Sequence, residues 1–539
     1  MFKSWSKPTL KSNRSKRNLA SSFDFRLALI LAIYLILGLL LIKYYRYQIN
    51  PDGISYISIA QKYLNGDFHN AVTAHWGPLF SWLLMPFLSL GIEPLLAAKI
   101  LNLLIGVATI AALRTLSYKF EISDSVRAVI LFSAVPIVLS FAFSDITPDL
   151  LLTCILLFYL AVIFSADYAG RINKALFGGV LGGAAYLSKS FAFPFFISHF
   201  LVMNVLCYFR GGTKQERKKV VQSFLTGAVA FAVVSGVWIG LLTDKYGGFT
   251  FGAGNAALSW ETTPGVRGAA VLWQGFVKPP NETAVSAWED PFYLETPSYN
   301  PLESWSNFAH QLKVVAGNIH IAANIFMDFS VLSIAIAIAY LLFWLRKFKR
   351  GAMPAEVLYP TVTIALFAGG YSLVLVLARY LWVLCLMSML MGGYVLGRLF
   401  QNNFFTKTRR AALLIILLLS FVVPASLTLK RFANIGSGIY ALSRALQNGI
   451  APDYNIASNG NWGDSLYIAY HLGCRYYGVN KQNISEAELS EQLKKYGIDY
   501  YLVWGTGAGD FGFLSDYREI TGGKLRGLKI YGLKKHRWL

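Results

Sequence analysis

The chain has 539 residues, of which 55% are hydrophobic and only 14% charged. So little charge excludes an ordinary soluble globule, where about a quarter of residues are charged, and excludes disordered and collagen-like chains too. Lysine and arginine outnumber aspartate and glutamate 49 to 28, a net charge of +21, which on so apolar a chain is a question of membrane topology before it is one of nucleic acid.

In chain order, a basic tail over 1–25 carries Lys3, Lys7, Lys11, Arg14, Lys16 and Arg17 and leads into an apolar run over 26–45. That run is long enough to span and no small-residue cleavage pattern follows it, so it reads as a retained first helix with a cytoplasmic tail. Stretches near the ~20 apolar residues that a spanning helix needs then recur. They cover 95–116, 126–143, 150–166, 175–188, 192–209, 220–242, 320–344, 356–377, 380–399 and 411–429. The apolar stretch 76–92 is short and broken by Pro78 and Pro86, so it either spans or lies in the interface. The positive-inside rule separates the two. If 76–92 does not cross, the basic clusters around Arg171, Arg217, Arg346 and Arg409 all lie inside; if it crosses, all move outside. The expectation is eleven crossings plus one interfacial or re-entrant segment. The transmembrane domain then covers 26–429, with outer loops over 46–94 and 244–319 and an outer C-terminal domain over 430–539. The second loop is rich in tryptophan (Trp260, Trp273, Trp288, Trp305) and too long for a plain connector.

The C-terminal segment alone reads as water-soluble. Apolar residues alternate in SLYIAYHLGCRYYGV and IDYYLVW, and Ser485 three before Glu488 marks a helix start. The mixture predicts a small α/β domain beside an α-helical polytopic membrane protein. Cys154, Cys207 and Cys385 sit in apolar runs, so no disulfide framework can be read. Cys474 and His471 are too isolated for a metal site, and the Gly-rich run 505–509 lacks the helix that a nucleotide loop needs.

Charge beside a membrane is expensive and tends to be functional. Under the chosen topology several such residues converge on the outer face. Asp52 follows the first helix and opens a helical pattern through Ile54, Ile57, Ala60 and Leu64, where it caps the helix or does chemistry. Asp145 and Asp149 lie between the third and fourth spans, and can cap the next helix or share a cation or proton. Lys189, at the outer end of a span, either snorkels or holds an anion. Arg379, beside Tyr380, is either an interfacial anchor or a phosphate clamp, because guanidinium matches phosphate geometry. Carboxylates that take a proton and cations that hold a phosphate suit group transfer from a lipid-linked phosphate to a hydroxyl or amine.

The order of these motifs resembles the GT-C superfamily of membrane glycosyltransferases, in the branch of protein mannosyltransferases and aminoarabinose lipid A transferases. The residues that carry the resemblance are Asp52, AQKYLNGDF, HWGPLFSWLLMPFLSLG, YLSKSFAF and ARYLWVL. Gly77 stands where the family has the first proline of a PPL motif, and the proline of its RYxLP segment is missing. The resemblance implies short juxtamembrane helices in the first outer loop and a catalytic Asp52, with Asp149, or Asp145 as the near alternative, as second acidic residue. It further implies that Lys189, Arg379 and Tyr380 face the donor phosphate. The implied donor is a polyprenyl-phosphate sugar and the implied outcome inversion. His75 and Trp76 would contact the sugar, unless Trp76 is an interface anchor. The acceptor is a glycan, lipid or protein. No cofactor is required and no metal is assigned; a divalent cation shared by Asp52, Asp145 and Asp149 is the alternative. The expected place is the plasma (inner) membrane, multi-pass, with the site outside, and nucleic acid is not a partner. The rival function is a transporter or lipid flippase, which would favour charges at the midplane and two similar halves.

Overall fold

The computed structural model describes residues 25–252, 261–264, 275–291, 299–348, 353–505, 511–523, 525 and 527–533. The expected basic tail over 1–24, Trp260, Trp273, Lys349, Arg350 and most of the Gly-rich run lie outside the described residues.

Helices dominate. The membrane part runs through α1 (Phe25–Tyr45), α2 (Pro51–Leu64), α3 (Phe68–Ala71), α4 (Pro78–Ser89), α5 (Pro94–Ser117), α6 (Asp124–Ser144) and α7 (Asp149–Ile163). It continues through α8 (Ile172–Ser188), α9 (Ala192–Arg210), α10 (Lys214–Tyr246), α11 (Trp305–Phe329), α12 (Ser333–Phe348), α13 (Ala355–Ser372), α14 (Trp382–Leu399) and α15 (Lys407–Phe432). Local signals set many of the starts. Proline occupies the first turn of α2, α4 and α5, where its missing N–H has no helical partner to lose. Thr213 and Glu216 form a reciprocal capping box for α10, and left-handed Gly247 ends it.

Among the described residues, seven helices are long and apolar enough to cross a membrane, or eight with one bent pair counted as a span. Three other expected crossings are helical but shorter, at 15 residues for α7, 17 for α8 and 18 for α13. The 12-residue α4 reaches only ~18 Å at 1.5 Å per residue, well short of a ~30 Å hydrocarbon core. With α2 and α3 it forms a group of short helices between α1 and α5, as the resemblance implies.

The expected span over 320–344 is not one continuous helix: the chain bends by 114° between α11 and α12. Serines break it. Ser330 Oγ accepts from the Leu332 amide at 3.2 Å, and Ser333 Oγ donates to the Phe326 carbonyl at 2.6 Å. These local bonds replace the helical ladder at the bend. The expected loop 244–319 also ends early, because α11 starts at Trp305, capped by Ser304.

After α16 (Ser437–Leu446), the C-terminal domain alternates β1 (Asn455–Ser458), α17 (Trp462–Leu472), β2 (Arg475–Val479), α18 (Glu486–Lys495) and β3 (Tyr500–Trp504), then β4 (Arg518–Glu519) and β5 (Leu528–Gly532). The sheet order is β2-β1-β3-β5-β4, with β1 parallel to β2 and β3, and β5 antiparallel to β3 and β4. The alternation read across 465–479 is therefore half helix: α17 ends at left-handed Gly473, and only Arg475–Val479 is strand. Ser485 does cap α18, accepting from the Glu488 amide at 3.2 Å. The sheet is buried on both faces. Ile456, Tyr500, Leu502 and Ile530 join the core that continues into the helices, while Ala457, Tyr501, Val503 and Tyr531 join a second core with Leu489 and Leu493. The segment after α10 belongs to this domain as well. Phe276 enters the second core, the Val277 amide donates to the Tyr477 carbonyl at 2.8 Å, and the Tyr476 amide donates to the Val285 carbonyl at 2.7 Å. The two ends of residues 276–286 thus bond to the open side of β2 at Tyr477 and Tyr476.

Candidate active site

Five charged side chains from five segments meet at one end of the helices. Asp52 is in the first turn of α2, and Asp145 is the residue after α6. Asp149 opens α7, Lys189 follows α8, and Arg379 lies in a 3-10 turn over Ala378–Leu381 before α14. Carboxylates in the first turn of α2 and α7 are favoured by the positive end of the helix dipole.

Asparagines fix the segments relative to one another. Asn50 precedes α2, and its Oδ1 accepts from the Ile146 amide at 2.8 Å while its Nδ2 donates to the Ile146 carbonyl at 3.5 Å. Asn102 Nδ2 donates to the Asp145 carbonyl at 3.1 Å. Asp52 is carried against this loop because residue 53 is glycine: a Cβ there would stand 2.7 Å from Ile146 Cβ. Gly77 acts similarly on the other side. A Cβ on it would lie 2.5 Å from the carbonyl oxygens of Leu187 and Ser188, just before Lys189. The departure from the family's proline therefore coincides with a backbone-to-backbone approach.

Arg379 is the hub. Its Nη2 lies 2.6 Å from Asp52 Oδ2, its Nη1 3.7 Å from Asp145 Oδ1 and its Nε 3.4 Å from Asp149 Oδ2. Lys189 Nζ binds the other Asp149 oxygen at 2.5 Å. Asp52 is thus not a helix cap, since the cap position is Asn50, and Lys189 is an ion-pair partner instead of a snorkelling side chain. Tyr380 lies under Lys189, with Nζ 3.5 Å from its ring centroid, and stacks on Tyr371 at 4.7 Å. Phe191 continues the stack against Tyr371 at 3.6 Å. Cation–π contact and stacking hold the ammonium in place.

Three carboxylates against two cations leave the cluster one negative charge in excess. The Arg379 guanidinium lies among Asp52, Asp145 and Asp149. Among the described residues no group of three or more His, Cys, Asp or Glu is placed to hold a metal. Arg379 and Asp145 also border a cavity of about 220 Å³ that continues between the helices past Phe141, Ile325, Phe329, Cys385 and Pro424. A charged mouth thus opens onto an apolar cleft, an arrangement that suits a ligand with an anionic head and a hydrocarbon tail.

His75 and Trp76 lie beside Asp52 but are packed in. Trp76 is 7% exposed, its ring meets Tyr56 edge-on at 5.2 Å, and its indole N–H donates to the Trp288 carbonyl at 3.3 Å. His75 is tucked against Trp76 and Trp288, with ring centroids at 4.3 and 5.5 Å. Burial pulls the His75 imidazole down to about 4 from its ordinary 6.5. Sequence reasoning missed one contact to Asp52: Trp288 Nε1 donates to its Oδ1 at 3.1 Å. The Trp-rich loop was visible in the sequence, but which indole turns inward is a tertiary fact.

The family model described as dolichyl-phosphate-mannose-protein mannosyltransferase matches residues 75–239. That stretch takes in His75, Asp145, Asp149 and Lys189 and leaves out Asp52, Trp288 and Arg379. The fold is similar to the crystal structure of ArnT from Cupriavidus metallidurans bound to undecaprenyl phosphate. The TM-score is 0.55 at 13% identity, over 95% of this chain and 98% of that one. The apo state of the same protein gives 0.54 at 14% identity, over 94% and 97%. The apo oligosaccharyltransferase of Archaeoglobus fulgidus gives 0.45 at 10% identity, over 89% and 70%. No match is found among curated protein sequences. The likeness to ArnT extends over the fold of nearly the whole chain, from the apolar helices to the small C-terminal sheet.

Proposed function

We propose that the chain is a glycosyltransferase that moves a sugar from a polyprenyl-phosphate donor to an acceptor on the extracytoplasmic face of the plasma membrane. The observation that carries this reading is the Arg379 hub, three carboxylates and a lysine gathered at the mouth of an apolar cleft. The ArnT structure of the same fold holds undecaprenyl phosphate, which is the ligand chemistry that such a mouth and cleft suit.

In this mechanism the polyprenyl chain lies in the cleft and its single phosphate meets Arg379 and Lys189. Phosphate competes with Asp52 for the Arg379 guanidinium, so donor binding loosens the ion pair that occupies Asp52. Asp52 then takes the proton of the acceptor hydroxyl or amine. The acceptor oxygen or nitrogen forms a bond to the anomeric carbon, the bond from that carbon to the phosphate oxygen breaks, and polyprenyl phosphate leaves with the electron pair. Attack opposite the leaving group inverts the anomeric centre. Arg379 and Lys189 offset the charge on the leaving phosphate, and Asp149 holds both cations in register. Glycan, lipid and protein acceptors all fit this chemistry.

The test is release of free undecaprenyl phosphate from undecaprenyl-phosphate sugars, with a membrane extract as acceptor source, by the wild type beside Asp52→Asn. Release by the wild type alone is expected. Equal release by both proteins overturns the assignment of the base, and silence of the wild type across hexose and aminopentose donors turns the reading toward lipid transport.

A further inference from the structure

We propose that residues 286–290 form a strap that fixes the orientation of the Asp52 carboxylate, with Trp288 as the positioning residue and two ion pairs, one buried and one part-buried, as its anchors. The inference rests on Asp52 being the base of the proposed reaction.

The terminal torsion of an aspartate is broad and roughly two-fold, so nothing intrinsic sets which lone pair faces the acceptor. Two donors set it here. Arg379 holds Oδ2 at 2.6 Å and the Trp288 indole holds Oδ1 at 3.1 Å. Arg379 is also the group that the donor phosphate claims, so its hold on Asp52 changes during turnover. An indole N–H is neutral and has no affinity for phosphate comparable with a guanidinium, so it is the constant donor. A carboxylate has about four lone-pair positions, and one taken by the indole leaves others for the acceptor proton.

An indole orients a carboxylate only if it is itself held. Trp288 lies in a 3-10 turn over Ala287–Glu289 that Ser286 caps by accepting from the Trp288 amide at 3.3 Å. The next residue, Glu289, forms an ion pair with Lys62, the two being 4% and 3% exposed. Lys62 is on α2, the helix that carries Asp52, so one anchor and the oriented carboxylate share a rigid element. Asp290 pairs with Lys245 at 3.2 Å and accepts from Tyr246 at 2.9 Å and Thr73 at 3.4 Å. Exposed ion pairs add little to stability, and buried ones lose much of their attraction to desolvation. Two of them on successive residues are more than loop closure needs. The common product is a fixed Trp288.

The experiment uses the full chain in lipid nanodiscs and two readouts. The first is kcat and donor KM for undecaprenyl-phosphate mannose and undecaprenyl-phosphate aminoarabinose, by release of undecaprenyl phosphate. The second is the indole 15N–1H resonance of Trp288, assigned by its loss in Trp288→Phe. Trp288→Phe is expected to lower kcat about tenfold, the scale of one hydrogen bond to a charged group, with KM within about twofold. Glu289→Gln should shift the indole resonance and lower kcat, and the double variant should be no worse than Trp288→Phe alone. If Glu289→Gln fails to fold, the apolar pair Lys62→Met with Glu289→Met replaces it. A wild-type kcat in Trp288→Phe, or a loss confined to KM, overturns the strap. The base assignment fails separately. If Asp52→Asn moves the Trp288 resonance but leaves release unchanged, the contact exists and Asp52 is not the base.

Discussion

Two sets of ion pairs flank Asp52, and they are built on opposite plans. In the strap each charge has one opposite partner and less water: Lys62 and Glu289 are 3% and 4% exposed, Lys245 and Asp290 14% and 10%. At the mouth, Asp52, Asp145, Lys189 and Arg379 keep 15–26% exposure above a buried Asp149 (2%), and one guanidinium is divided among three carboxylates. The closed pairs cannot change partners without leaving a bare charge in the core. The open cluster can, because Arg379 gives up one carboxylate and still has two. Partner exchange is what a site that binds and releases a phosphate requires, and fixed pairing is what a scaffold requires. The same residue types do both jobs, and burial and stoichiometry decide which.

The largest effect that sharpens this comparison falls on the open side. Asp52→Asn should lower kcat by about 10²–10⁴-fold, the range of a positioned base, with the thermal melting temperature in detergent unchanged. A matched loss of stability would make the mouth a second scaffold. On the closed side the signature reverses. Removing one partner, as in Lys62→Met, should destabilise by about 3–5 kcal/mol because a buried charge is left alone, seen as a lower melting temperature. Replacing both partners with methionine should recover most of it.

His75 lies between the two sets and adds a pH test. Its folded value is about 4 against an ordinary 6.5. The unfolded chain therefore binds a proton below 6.5 that the folded chain refuses until near 4. Stability is full above 6.5 and falls as pH drops through that window, by about 3 kcal/mol in all at 1.36 kcal/mol per unit. Thermal unfolding against pH should show this slope in the wild type and a flatter one in His75→Gln. The smallest effect is expected at Gly77, which packs against the backbone just before Lys189. Gly77→Ala puts a methyl 2.5 Å from two backbone carbonyls, for a cost of about 1–3 kcal/mol and a modest loss of activity as Lys189 shifts.

The charged mouth was legible in the sequence because isolated Asp, Lys and Arg residues stand out in apolar runs, and each lies at a helix end that the runs delimit. Their convergence on Arg379 was not, since Arg379 and Asp52 are 327 residues apart. Trp288 was hidden for another reason. Its neighbours Glu289 and Asp290 look like surface charges until Lys62 and Lys245 arrive from distant helices. Neither the bend at Ser330 nor the helix over Trp462–Leu472 is visible in the apolar pattern, which gives an unbroken run in one and an alternation in the other. Side-chain bonds to the backbone break one apolar run, and Tyr, Ile and Ala alternate by chance within the other.

The place of residues 276–286 on the sheet bears on handling the protein. β2 is an end strand of its sheet, and residues 276–286 cover its free backbone groups at Tyr476 and Tyr477. A fragment cut at 430 would keep the whole five-stranded sheet but lose that cover and the Phe276 side chain. Its bare strand would recruit other copies edge to edge, so the excised piece should aggregate. Adding residues 275–291 in trans as a peptide should return it to solution.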